Sequence, residues 1–390
     1  MNAAIPGEST LALLERLVSF DTTSRESNLA LIHWVRDYLA DFGVDSRLTF
    51  DDTGAKANLF ATLGPAGDGG IVLSGHTDVV PVDGQPWTVP PFALTRCADR
   101  LLGRGVCDMK GFIATALAFV PIWLKQGLRR PLHLAFSYDE EVGCIGVRRL
   151  LADLAGCGLR PGGCVVGEPT GMQVIVAHKG RQSYRCRVRG KPGHSARPEE
   201  GVNAIHIACE LVTELARLAK KHRELGPFDT GFDVPYSTMQ AGVIQGGTAC
   251  NIIPRDCSFE FELRNLPLDD PAAILAALQY YAEHKLLPEM LAVDPGTGIT
   301  WETISDLPAF DSGAESSITH LAHECSASTG VSKVSYAAEA SLFDRAGMPT
   351  VLCGPGHIAQ AHQPDEWVAL EQLALCEAFM RRLGERLRSG

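Results

Sequence analysis

The feature that most constrains this chain is a run of continuous apolar segments separated by helical patterns. "ANLFATLG", "GGIVLSGHTDVV", "PLHLAFSY" and "GCVVGEPT" read as strands. They carry no polar alternation, so both of their faces are expected to be covered. Between and around them, "LALIHWVRDYLADFG", "GFIATALAFVPIWLKQG" and "GVRRLLADL" place apolar residues at helical spacing. Gly43 follows the first of these as a helix stop. "ST" near the N-terminus reads as the cap of a further amphipathic helix. Strands alternating with helices in this way predict a doubly wound, mostly parallel α/β sheet.

The pattern changes after residue 180. "RQSYRCRVRG" alternates polar and apolar, as a half-exposed antiparallel strand does. A long helix, two strand-like segments, a helix opened by Asp270 and Pro271, and the strand "GITWETISD" follow. This block, residues 181–306, is expected to be an inserted α+β domain of ferredoxin-like type. Residues 1–180 and 307–390 then form one α/β domain, which is expected to be catalytic. The length of 390 residues accommodates both.

The chemistry-bearing residues fall at strand ends, where open α/β sheets bind ligands. They are His76 and Asp78 in "SGHTDVVP", Asp108 in "GRGVCDMKG", Glu140 and Glu141 in "SYDEEVG", Glu168 in "GEPT" and His362 in "QAHQPDEW". Singly, each has an ordinary explanation: an N-cap, a solvated turn, a hydrogen-bonded histidine. Asp139, Glu140 and Glu141 are harder to dismiss. Three adjacent carboxylates repel one another, and no Lys or Arg follows within several residues. Two histidines and several acids at one edge suit a pair of divalent metals. A carboxylate beside a ligand suits a general base.

Composition narrows the partners. A formal charge of −11 argues against nucleic acid and anionic membranes. There is no apolar stretch of membrane-spanning length and no signal-peptide pattern. Twelve cysteines without a C-x-x-C pair fit reduced thiols, and with them a cytoplasmic location.

In order and content, "GHTDVVP", "GRGVCDMKG", "DEE" and "GEPT" resemble the M20 family of di-zinc amidohydrolases and peptidases. The resemblance covers nearly the whole chain. It implies one metal held by His76, Asp108 and Glu168, and a second held by Asp108, Glu141 and His362. The metals would be zinc, with cobalt as an alternative. It makes Glu140 the general base and Asp78 the residue that orients His76, and it implies a cis peptide at Asp108–Met109. The inserted domain would mediate a homodimer, and His194 in "GKPGHSARP" would reach the partner's active site to stabilise an oxyanion. Asn251 and Arg264 match substrate-contacting positions, and Arg264 suits the α-carboxylate of a small N-acyl amino acid. Glu339 in "AAEAS" is our own candidate for a basic substrate side chain. Arg181 keeps a succinylated diacid in view as an alternative substrate. A non-catalytic homologue would be expected to lack ligands or base, and this chain has both.

Overall fold

A computed structural model describes residues 5–326 and 328–389. The chain forms two compact units. One comprises Met1–Ala177, Phe310–Ser332 and Ala338–Gly390; the other comprises His178–Ala309 and Lys333–Ala337. The sequence patterns did not anticipate that 333–337 would join the second unit. Its anchor is electrostatic, since Lys333 Nζ lies 2.9 Å from Asp229.

In chain order the first unit begins with α1 (Glu8–Val18), α2 (Leu29–Asp41), β1 (Ser46–Phe50), β2 (Ala57–Leu63) and β3 (Ile71–His76). There follow β4 (Thr95–Cys97), β5 (Arg100–Leu102), α3 (Lys110–Gln126), β6 (Leu132–Ser137), α4 (Ile145–Gly156), β7 (Gly163–Pro169) and β8 (Ile175–His178). The second unit contributes β9 (Arg181–Arg189), α5 (Ala204–Leu225), β10 (Thr238–Gly246), β11 (Asp256–Arg264), α6 (Pro271–Tyr281), α7 (Leu287–Val293) and β12 (Gly298–Leu307). The chain then runs through β13 (Phe310–Asp311), α8 (Ser317–Ser326), β14 (Ser332–Val334), α9 (Ala340–Arg345), β15 (Thr350–Gly354), β16 (Trp367–Ala369) and α10 (Leu370–Ser389).

The main sheet of the first unit runs β1-β2-β6-β3-β7-β15-β8-β13. Its centre is parallel, through β6–β3, β3–β7 and β7–β15. The pairs β1–β2, β2–β6 and β15–β8 are antiparallel. Every residue of β3, β6, β7 and β15 is buried, as their unbroken apolar sequences require. Helix α3 is buried along nearly its whole length against the sheet, α1 and α10. Its contact with β7 is close enough to require a glycine. A Cβ on Gly167 would sit 2.0 Å from the Phe112 ring. A small third sheet, β16-β5-β4, had no clear signal in the sequence because its strands are three residues long.

One cap differs from expectation. Helix α1 starts at Glu8, which places Ser9 and Thr10 inside it. The carboxylate of Glu377, on α10, takes the capping role. It accepts the Gly7 amide at 2.8 Å and also the Thr10 hydroxyl. Gly43 after α2 has φ 71°, the left-handed conformation a helix stop favours.

The second unit is a four-stranded antiparallel sheet in the order β10-β11-β9-β12, the strand order of a ferredoxin-like βαββαβ unit. Alternation in β9 and β11 turns Tyr184, Cys186, Phe259 and Phe261 onto Leu211, Leu215 and Leu278 of the helices. Phe259 is fully buried, so its truncation to alanine should cost about 3–5 kcal/mol. The opposite face is a ladder of charges in which Arg185 meets both Glu260 and Glu302. Asn203 caps α5, and Asp270 caps α6 ahead of Pro271.

Candidate active site

The parallel strands of the first unit deliver their C-terminal ends to one edge. His76 is the last residue of β3, Glu140 and Glu141 follow β6, and Glu168 is near the end of β7. Asp108 precedes α3, and His362 lies between β15 and β16. The Asp108–Met109 peptide is cis. Asp139 and His362 have positive φ, 55° and 61°, so each sits in a tight turn that re-aims the chain.

Two donor sets converge there. His76, Asp108 and Glu168 form one; Asp108, Glu141 and His362 form the other. Within each set the donor atoms lie within 4.8 Å of one another. Asp108 belongs to both. One of its oxygens is 3.0 Å from His76 Nε2, and the other is 3.1 Å from His362 Nε2. Glu141 Oε1 is also 3.1 Å from His362 Nε2. Glu168 approaches His76 Nε2 at 3.9 Å. His76 Nδ1 lies 2.9 Å from the Asp78 carbonyl, which accepts its proton and leaves Nε2 aimed at Asp108.

Asp78 thus orients the imidazole, but through its backbone. Its carboxylate is 3.7 Å from His76 Nδ1. Those oxygens instead accept the amides of Glu140 at 3.0 Å and Glu141 at 3.3 Å, and the Ser24 hydroxyl at 2.7 Å. One aspartate therefore shapes both the first histidine and the turn that bears Glu140 and Glu141.

The crowded acids have a partner that local sequence could not reveal. Lys56, just ahead of β2, reaches Asp139 with Nζ at 2.6 and 2.7 Å from its two oxygens. Its side chain and that of Asp139 are 15% and 13% exposed. Asp139 is thereby neutralised, but Glu140 and Glu141 are not.

The remaining charge is unbalanced. Burial, then the charges of Glu141, Glu339 and Asp78, push Glu140 up to about 8 despite His76 nearby. Burial, then Asp108 and Glu140, raises Glu168 well above the carboxylate range. Burial also raises Glu141, with Asp108 adding to the effect. Hydrogen bonds donated to Asp108 and then to Glu141 raise His362 to about 11. Burial works against Asp108, yet the two imidazoles hold it well below its ordinary value. Two buried acids, Asp108 and Glu168, and two half-buried ones, Glu140 and Glu141, share two imidazoles and carry excess negative charge. That excess, presented by imidazole nitrogens and carboxylate oxygens, fits two divalent cations. Glu140 belongs to neither donor set. The Cys144 thiol donates to it at 3.3 Å.

Cys107, next to the shared aspartate, is buried, and burial raises its thiol pKa strongly. It packs as a small hydrophobe with weak contacts to His357 and Gln360.

Glu339 does not stand where a substrate ammonium would meet it. It is fully buried, and its two oxygens accept Ser74 Oγ at 2.6 Å and Ser137 Oγ at 2.8 Å. The expected direct contact is corrected on that ground: the carboxylate has no open surface, and both oxygens are engaged.

His194, Asn251 and Arg264 lie in the second unit. His194 and Asn251 are neighbours: His194 bridges Ile252, and the Ser195 amide donates to the Asn251 carbonyl at 3.2 Å. Arg264 ends β11, where it bonds Glu262 at 2.7 Å and the Ser335 carbonyl at 3.3 Å.

Fold and site together define a hydrolase with two adjoining candidate metal sites. The chain belongs to peptidase family M20/M25/M40, whose sequence pattern matches residues 72–386. It is 35% identical over 371 residues to an acetylornithine deacetylase of Proteus mirabilis, covering 94% of this chain and 92% of that one. It is 36% identical over 377 residues to an acetylornithine deacetylase of Myxococcus xanthus, covering 95% of both. Among solved structures it is similar to a tripeptidase from Staphylococcus aureus, with TM-score 0.76 at 19% identity over 99% of this chain and 100% of that one. It is also similar to a dinuclear metal binding peptidase of the M20 family from Bacillus subtilis, with TM-score 0.71 at 15% identity over 97% and 98%. At those identities the structures speak to the fold.

Proposed function

We propose that the chain is an acetylornithine deacetylase, hydrolysing N2-acetyl-L-ornithine to L-ornithine and acetate in arginine biosynthesis. Identity of 35–36% to proteins of that name, over more than nine-tenths of the chain, carries the reading. His76, Asp108 and Glu168 hold one divalent ion; Asp108, Glu141 and His362 hold the other. Zinc suits these donors best, and cobalt can replace it. The bound ions supply Lewis acidity that polarises an acyl oxygen and acidifies water.

Glu140 takes the proton from the attacking water and returns it to the departing α-amine. Its high proton affinity in this buried cluster supports a role that requires both holding and releasing a proton near neutrality. Asp78 keeps His76 in the tautomer that leaves Nε2 unprotonated, and through two amides keeps Glu140 and Glu141 in register. His194, contributed by a second copy, donates to the oxyanion. Arg264 takes the substrate α-carboxylate, and Asn251 also contacts the substrate. The second unit is the dimerisation surface. All twelve cysteines are free thiols, which supports a reducing, cytoplasmic setting.

The alternative, a desuccinylase of diacid substrates, leaned on Arg181. Its guanidinium lies 3.0 Å from Glu262, the carboxylate that Arg264 also pairs with at 2.7 Å, so this pairing does not separate the two substrates. Amine release from N-acetyl-ornithine, compared with N-succinyl-diaminopimelate and N-acetyl-methionine, tests the assignment.

A further inference from the structure

Behind the shared aspartate lies a carboxylate that the mechanism does not use. Glu366 is 1% exposed and receives four donors. Oε1 accepts the amides of Cys107 at 2.9 Å and Asp108 at 3.1 Å. Oε2 accepts the Gly105 amide at 2.9 Å and Arg104 Nη1 at 2.8 Å. Three N–H groups of the loop that ends in Asp108, those of residues 105, 107 and 108, therefore converge on one side chain.

The same residue is tied to the other histidine. Glu366 is four residues beyond His362, and its carbonyl accepts the Gly103 amide at 3.0 Å. Trp367 pairs with Leu102 across β16 and β5. Arg104, also 1% exposed, bonds Gln85 at 2.6 Å and lies over the Trp87 ring at 5.0 Å. The two loops that carry Asp108 and His362 are thus stitched together through a single buried carboxylate.

Burying an anion costs several kcal/mol unless its oxygens are satisfied. A carboxylate offers about four acceptor sites and no donor when ionised. Here four donors meet those four sites. An amide in its place would present an NH₂ group to two N–H donors on one side or the other. Aspartate is one methylene too short to hold both pairs.

We propose that Glu366 is a positioning residue for the second metal site, holding Asp108 and His362 at the spacing that lets both reach one ion. Of the first site's donors Glu366 holds only the shared Asp108, whereas His76 and Glu168 come from β3 and β7, so that site depends on Glu366 less than the second, where both Asp108 and His362 sit on loops it joins. This inference rests on the two-metal reading above but not on the substrate. Its magnitude follows from outer-shell partners of ligands generally, whose loss weakens metal binding about 10–100-fold.

The test is titration of metal-free protein with zinc and with cobalt, under chelator competition, for wild type, Glu366→Gln and Arg104→Met. Wild type should take up two ions. Glu366→Gln should bind one ion within about threefold of wild type and the other about 10–100-fold more weakly. Arg104→Met keeps all three amide contacts. It should lower the unfolding midpoint yet leave the second-ion affinity within about threefold of wild type. If Glu366→Gln fails to fold, Glu366→Asp, which keeps the charge, should show the same selective loss. Equal weakening of both ions, no weakening of either, or an Arg104→Met loss matching that of Glu366→Gln would overturn the proposal. A wild-type protein that bound fewer than two ions would overturn the two-metal reading along with it.

Discussion

Replacing Lys56 with methionine should expose what the 139–141 turn costs when its cation is removed. Lys56 Nζ contacts both oxygens of Asp139, at 2.6 and 2.7 Å, and also bonds the Ser24 carbonyl. Removing one partner from a buried pair costs about 3–5 kcal/mol, because an uncompensated charge stays behind. Two features lower that figure. The side chains retain 15% and 13% exposure. Asp139 can also escape by taking a proton, since burial already raises its pKa even with Lys56 beside it. We expect a loss of about 2–3 kcal/mol at pH 7.

The pH dependence has a definite sign. In the variant the folded-state pKa of Asp139 rises further above its unfolded value, so the folded state binds more protons than the unfolded state. Stability then declines as pH rises. The deficit relative to wild type should be smallest at pH 5 and largest at pH 7 and above. Lys56→Met combined with Asp139→Asn should recover most of the loss. Urea unfolding followed by tryptophan emission is a suitable assay, because Trp34, Trp87, Trp123 and Trp367 lie in the first unit and only Trp301 in the second. A Lys56→Met variant within about 0.5 kcal/mol of wild type, or a deficit that does not change with pH, would refute the reasoning.

Other outcomes follow from the same geometry. Glu140→Ala should retain both metals by elemental analysis yet lose nearly all turnover, about 10²–10⁴-fold, the range of general acid–base contributions; turnover within tenfold of wild type would remove Glu140 as the base. Glu339→Gln should leave the preference for basic over neutral side chains unchanged, because the carboxylate is enclosed by Ser74 and Ser137; a lost preference would restore the direct contact. His133, whose pKa burial lowers, lies between the Thr62 hydroxyl at 2.9 Å and the Gly69 carbonyl at 3.2 Å. The unfolded state binds this proton more readily, so stability should rise with pH from about 5 to 7. His133→Gln should flatten that rise in urea unfolding curves.

Much of the architecture was legible because burial leaves a strong trace in sequence. Unbroken apolar strands mark the parallel centre of the sheet, and the switch to alternation at β9 marks the second unit. The metal-ligand candidates were legible as acids and histidines at strand ends. What was not legible depends on contacts between distant residues. Lys56 and Asp139 are 83 residues apart, and Arg104 and Glu366 are 262 apart. No local pattern links them. Glu366 sat in view within "QAHQPDEW", but an acid beside a tryptophan reads as a solvated turn until the three amides above it are known. Glu339 misled for the opposite reason. An acid ahead of a helix reads as exposed, whereas its serine partners on β3 and β6 draw it inside. The Ser-Thr cap of α1 failed because a carboxylate from α10, near the other end of the chain, does that work.

The most direct test of the central claim is release of free amine from a panel of N-acetyl-ornithine, N-succinyl-diaminopimelate, N-acetyl-methionine and a dipeptide, with zinc or cobalt added. The account predicts a clear preference for N-acetyl-ornithine, abolished by chelation and restored by either metal. A preference for the succinylated diacid, for the neutral side chain or for the dipeptide would contradict the assigned reaction.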